Sequence, residues 1–160
     1  MITYKKITDF FETIVSKHYQ LQAFQSGELS EIDPNKLDQQ DFPLMFLQPN
    51  TTTISERTMT YSFDVYILTQ VLDDGTGIND AYSQTLLMMK DVISEFRQIL
   101  SSDSLLANTD EGKFEYIIQM PISCEPFTER FANLLTGWNA TFDIEVHNEN
   151  NLCIAPIDNS

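Results

Sequence analysis

Residues 59–67 read Met-Thr-Tyr-Ser-Phe-Asp-Val-Tyr-Ile. Met59, Tyr61, Phe63, Val65 and Ile67 alternate with Thr60, Ser62, Asp64 and Tyr66, so an extended chain here turns one apolar and one polar face. β-branched and aromatic residues fill the run, which predicts a half-buried strand. Upstream, Phe42–Leu47 is a continuous apolar stretch bounded by Pro43 and Pro49, and it suits a second, buried strand. Between the two lies Asn50–Thr58 (NTTTISERT), polar and rich in threonine. That connection predicts an antiparallel hairpin whose tip reaches beyond the sheet edge. Downstream, Asp73-Asp74-Gly75-Thr76-Gly77 breaks the strand, and Asn79 or Asp80 stands where a helix N-cap is needed.

Helices flank this hairpin. Ile7, Phe10, Phe11, Ile14, Val15 and His18 recur at spacings of three and four, which predicts a helix over roughly Thr3–His18. Tyr82, Leu86, Met89, Ile93, Phe96 and Leu100 form a second stripe, ending near Ser101 and Ser102, with Lys90, Glu95 and Arg97 on or near its other side. Between the first helix and the hairpin, Leu21, Ala23 and Gly27 lead to a short alternation at Glu28–Ile32 that reads as a weak edge strand. Asp33–Asp41 follows as a polar loop. Beyond the loop at Thr109–Gly112, Phe114, Tyr116, Ile118, Met120 and Ile122 alternate, and so do Ala140, Phe142, Ile144 and Val146. Pro126–Trp138 (PFTERFANLLTGW) reads as a connecting loop too apolar to be idle. The tail from about 149 to 160 is Asn-rich and is expected to be mobile unless a partner holds Ile154 and Ile157.

Helix, two strands, helix, two strands, without βαβ repetition, predicts an α+β fold of two layers: a mainly antiparallel four-stranded sheet with two helices packed on one face. A length of 160 residues fits a single domain over 1–160. Twenty-four acidic against nine basic side chains give a formal net charge of −15, which repels phosphate backbones and argues against a basic nucleic-acid-binding face. The apolar runs are too short for a membrane span, and the N-terminus lacks a secretory pattern. Cys124 and Cys153 are widely separated and make no metal-ligand motif, so both read as reduced thiols in a reducing compartment.

Several features of the order resemble the tail-terminator, tail-completion and neck (head–tail connector) proteins of tailed bacteriophages. They are the opening helix, the Gln22–Ile32 stretch around Gly27, the Phe42–Pro49 strand entering a polar hairpin, the Tyr61–Ile67 strand before an acidic glycine turn, and the Gly137-Trp138 step into the last strand. The asparagine-rich, acidic style is similar to that of phages of gut bacteria, the crAss-like group among them. The resemblance implies a virion protein, assembled in the host cytoplasm, that forms a homo-oligomeric ring of six or twelve copies. Its neighbours would be portal, neck or tail-tube proteins, with DNA passing through unbound. The longer Phe127–Trp138 segment and the polar tail depart from the smaller tail terminators and leave the position within the neck open.

Catalytic motifs are missing: there is no G-x-S-x-G elbow, phosphate-binding glycine loop or H-E-x-x-H helix. His18 reads as a satisfied core histidine, His147 has no motif around it, and no cofactor or metal is expected. The acidic turn 73–80 lacks calcium-loop spacing. Interface residues are expected at the hairpin tip, Thr51, Thr52, Thr53, Glu56 and Arg57, and at Phe127, Arg130, Phe131 and Trp138, because aromatic and arginine side chains dominate buried interfaces. Asp73, Asp74 and Asp80 are candidates to line a DNA-repelling lumen, although keeping a ring component soluble is the plainer role for them. Two rivals remain: an acidic mimic of DNA, and a small hydrolytic enzyme using carboxylates such as Glu115 and Asp143.

Overall fold

The computed structural model describes residues 2–28, 41–72, 75–97, 116–130 and 134–147. Helix α1 spans Tyr4–Lys17 and is capped at Thr3, whose hydroxyl accepts the Lys6 N–H at 3.3 Å. Strand β1 is Ala23–Ser26, β2 Leu44–Ile54 and β3 Thr58–Val71. Helix α2 is Ile78–Arg97, and it is followed by β4 (Tyr116–Ile118), β5 (Cys124–Arg130) and β6 (Leu134–His147). The fold is α+β, as expected, but the sheet is six-stranded and mixed, in the order β1-β2-β3-β6, with β4 and β5 both on the outer edge of β6. The four-stranded antiparallel expectation is therefore too small by two strands.

Each extra strand has a physical reason. β1 runs parallel to β2, pairing Ala23 with Leu44 through Ser26 with Leu47. It forms from Ala23–Ser26, with Ala23 and Phe24 packed against the core; the expected edge strand at Glu28–Ile32 lies, Glu28 apart, outside the described residues. The expected third strand is interrupted at Pro121, which has no N–H to continue a ladder. β4 holds the Val146 end of β6, β5 holds the Leu134–Ala140 end, and Gln119 N–H donates to the Asp143 carbonyl at 2.9 Å between them. Within the expected loop Pro126–Trp138, the described residues on both sides, Pro126–Arg130 and Leu134–Trp138, are thus strand, paired antiparallel as parts of β5 and β6.

The spine of the sheet is β3 against β6, paired in unbroken register from Thr58↔His147 to Val71↔Leu134. Their alternation directs Phe63, Val65, Phe142 and Ile144, all fully buried, toward both helices. Phe96 of α2 is the hub there, with ring centroids 4.6 Å from Phe10, 4.7 Å from Phe11, 5.8 Å from Phe142 and 6.2 Å from Tyr116. Such ring pairs add about 0.5–1.5 kcal/mol each beyond area burial. The stripe that α2 buries is Ala81, Thr85, Met88, Met89, Val92 and Phe96. Leu86, expected inside, is exposed, while Thr85 is buried because its hydroxyl donates to the Ala81 carbonyl at 2.7 Å. On the opposite sheet face Leu44, Leu68 and Leu135 form a second, smaller cluster with Ala23, Phe42, Tyr66 and Phe127 around them.

The expected loops at Asp33–Asp41 and Thr109–Gly112, the helix end at Leu100–Ser102, Phe114 and the tail from 149 lie largely or wholly outside the described residues. No described helix is long and apolar enough to cross a membrane.

Candidate interaction surface

β2 changes character halfway along. Leu44–Leu47 is buried, whereas Pro49–Ile54 and the turn Ser55–Arg57 are exposed. β1 ends at Ser26, opposite Leu47, where the Gly27 N–H donates to the Leu47 carbonyl at 3.0 Å, and β2 runs on without it. A register shift between Pro49 and Thr52 marks a bulge. Asn50 is fastened there: its amide donates to Asp64 at 3.2 Å, and its Oδ1 accepts the Thr51 N–H at 2.7 Å. Past the bulge Thr52, Thr53 and Ile54 pair regularly with Tyr61, Thr60 and Met59. The tip closes with Ser55 N–H to the Thr58 carbonyl at 2.9 Å and Ser55 Oγ 2.7 Å from Thr58 Oγ1.

Thr51, Thr52 and Thr53 are therefore strand residues on an edge, and only Glu56 and Arg57 form the turn itself. Ile54, which the sequence reading did not single out, is 69% exposed beside them; a lone isoleucine in a polar threonine run was the available signal.

The second expected cluster divides. Trp138 lies on the helix face, where its Nε1 donates to the Tyr82 carbonyl at 2.8 Å and its ring stands 5.6 Å from that of Tyr82. Tyr82 OH is 2.6 Å from Thr128 Oγ1, which is 3.0 Å from Thr136 Oγ1. Hydrogen bonds from Thr128 and then Thr136 hold the Tyr82 phenol below its ordinary range, against the opposing effect of burial. Trp138 thus fastens α2 to the sheet and is half-buried. Phe127 points to the other face, 5.4 Å from the Tyr66 ring. Arg130 ends β5. Phe131 lies outside the described residues, and Phe127 and Trp138 stand on opposite faces of the sheet.

Asp80 is exposed in the first turn of α2, where a negative charge complements the helix dipole. It borders a cleft of about 490 Å3 with Thr69, Gln70, Thr76 and Gln84. The helix starts at Ile78, so Asn79 and Asp80 sit inside its first turn and not at the cap. Asp73 and Asp74 lie outside the described residues, as does Glu115. The acids that share a face are others. Asp64 accepts from Asn50 and from Thr141 at 3.0 Å, Ser62 donates to Asp143, and Gln119 donates to Glu145 at 3.3 Å. Cross-strand register puts them side by side on the face away from the helices.

His18 ends α1. Its Nδ1 accepts from the N–H groups of Gln20 and Leu21 at 3.1 and 3.3 Å, so its proton sits on Nε2, 2.9 Å from Asp91 Oδ2. A cleft of about 580 Å3 opens beside it, bounded by Ile14, Lys17, Tyr19 and Ser94. With both nitrogens engaged, His18 orders the turn from α1 into β1. Cys124 is a free thiol that burial pushes above its ordinary range. Among the described residues no group of three or more His, Cys, Asp or Glu side chains could hold a metal ion.

Compared with protein-family models and with curated proteins, the chain matches none.

Proposed function

We propose that the chain is a non-enzymatic structural protein that forms a ring at the neck or tail end of a tailed phage, as a tail terminator or head–tail joining subunit. The observation that carries this reading is the hairpin arm. Pro49–Arg57 leaves the packed core with its side chains exposed, while its base is locked into the β3–β6 spine. An ordered, uncharged strand edge held out from a rigid sheet is suited to contacts with neighbouring subunits. On this reading the partners are further copies of the chain, in sixes or twelves, together with portal, neck or tail-tube proteins. The protein belongs to the virion after assembly in the host cytoplasm.

The net charge of −15 suits a wall along which DNA slides without sticking. Within that reading the better lumen candidates are Asp64, Asp143 and Glu145, which share one sheet face, rather than Asp80, whose place on α2 gives it a local structural role. The DNA-mimic rival receives less support, because those three carboxylates already accept hydrogen bonds from Asn50, Thr141, Ser62 and Gln119 instead of standing free like phosphates.

Native mass spectrometry and light scattering across a concentration series test the proposal. A mass of six or twelve chains supports it. A monomer at every concentration that also fails to assemble on portal or tail-tube rings sinks it.

A further inference from the structure

We infer that the outer edge of β2 is a self-recognition site, at which two copies of the chain pair antiparallel about a two-fold axis through Thr53. The inference does not depend on the ring reading. It rests on which backbone groups of the arm face outward, and on where the chain is free of charge.

Ser55 donates to Thr58 across the turn, so the ladder rule places the inward-facing backbone of β2 at Ser55 and Thr53. Thr52 and Ile54 consequently direct their N–H and C=O groups away from β3. Among the described residues no strand pairs with this edge beyond Leu47. Exposed edges in natural proteins are usually blunted by charge. Here no residue from Phe42 to Ser55 is charged, in a chain with 24 acids. Blunting is confined to the base of the arm, where Pro49 lacks an N–H and the bulge follows.

A partner must therefore be acceptable to an uncharged, threonine-rich edge, and a second copy is. Two chains carrying the same large negative charge repel one another over most of their surfaces, and this edge is where they can approach without opposing like charges. With the two-fold axis at Thr53, Thr52 of each copy faces Ile54 of the other, and the outward groups of these residues form four N–H···O bonds. The two Thr53 residues face each other as a non-hydrogen-bonded pair, the arrangement in which cross-strand side chains come closest. Glu56 then lies opposite Asn50 of the other copy and Arg57 opposite Pro49, so the charged tips never meet each other. Such an interface is isologous and closes after two chains. It is small and weak on its own, and it gains strength where several copies are held together.

Thr53→Cys tests this directly. Under mild oxidation it should form a covalent dimer roughly tenfold or more faster than Ile54→Cys, because facing Cβ atoms suit a disulfide whereas Ile54 is offset from its own copy by a diagonal step. The unsubstituted chain, with Cys124 and Cys153, sets the background. Adding Thr52→Pro to Thr53→Cys removes an outward donor and should return cross-linking to that background, with unchanged circular dichroism and melting. Cross-linking of Thr53→Cys no faster than of Ile54→Cys overturns the inference. A hexamer whose Thr53→Cys form fails to cross-link leaves the ring standing and ends the pairing, whereas cross-linked dimers without any larger assembly do the reverse.

Discussion

The β3–β6 spine and the β2 arm are paired strands of one sheet, yet they behave as opposites. Phe63, Val65, Phe142 and Ile144 are fully buried in the spine, while Thr52, Thr53 and Ile54 remain exposed although the same β3 pairs with them. The difference lies in what covers the strands. Helix α2 lies over the spine, and its Phe96 holds the ring cluster together. Among the described residues the arm has strand pairing without a covering layer, so it keeps its shape but contributes little burial. Burial is thus concentrated in one region and exposure in the other, and substitutions should separate the two.

The largest expected effect is in the ring cluster. Phe96→Ala should cost about 3–5 kcal/mol in urea unfolding, since it removes a fully buried ring with four aromatic neighbours. Gly137→Ala should cost about 3 kcal/mol, because an added Cβ would overlap the Ile67 carbonyl oxygen and main chain cannot yield as a side chain can. Trp138→Phe keeps the ring and removes the N–H that satisfies the Tyr82 carbonyl, for an expected loss of about 1–2 kcal/mol. Thr53→Lys on the arm should change stability by less than about 0.5 kcal/mol. If Thr53→Lys instead unfolds the chain as readily as Phe96→Ala, the separation between spine and arm fails.

A pH series sharpens the same contrast. Burial raises Cys124 above its ordinary value of 9.0 and Tyr61 above 10.0. The folded chain therefore keeps these protons at a pH where the unfolded chain has released them. Their contribution is fully present below the ordinary values and fades as pH rises through the raised folded ones. The urea midpoint should accordingly fall as the pH climbs from 9, and Cys124→Ala should delay the onset of that fall toward the tyrosine range. Loss of stability beginning well below pH 9 would contradict this assignment.

Much of the spine was legible in the sequence, because strict alternation at 59–67 and 140–146 is a two-residue period that burial on one face enforces. The lower half of β6 was not. Thr136, buried on the helix face, stands where alternation expects an apolar side chain, and Gly137, pressed against the Ile67 carbonyl, carries none, so a continuous strand read as loop. In α2 the buried position fell on Thr85 and not Leu86, since a hydroxyl bonded within its own helix can enter a core. The arm was legible as polar and turn-forming, but its identity as strand was hidden, because pairing on one side leaves no trace in hydrophobicity. Trp138 was expected at an interface by its residue type alone; its partner, the Tyr82 carbonyl, lies 56 positions away and leaves no local signal.

One arrangement on the outer edge of β6 has a practical side. β4 and β5 occupy that edge in series, with Met120 and Pro121 exposed between them and no ladder pair assigned from Gln119 to Ser123. An epitope tag or fluorophore-bearing loop spliced after Met120 would lengthen the chain without displacing a rung of either ladder. It would give a label on the opposite edge of the sheet from the arm, a place from which the proposed assembly could be watched without touching the proposed contact surface.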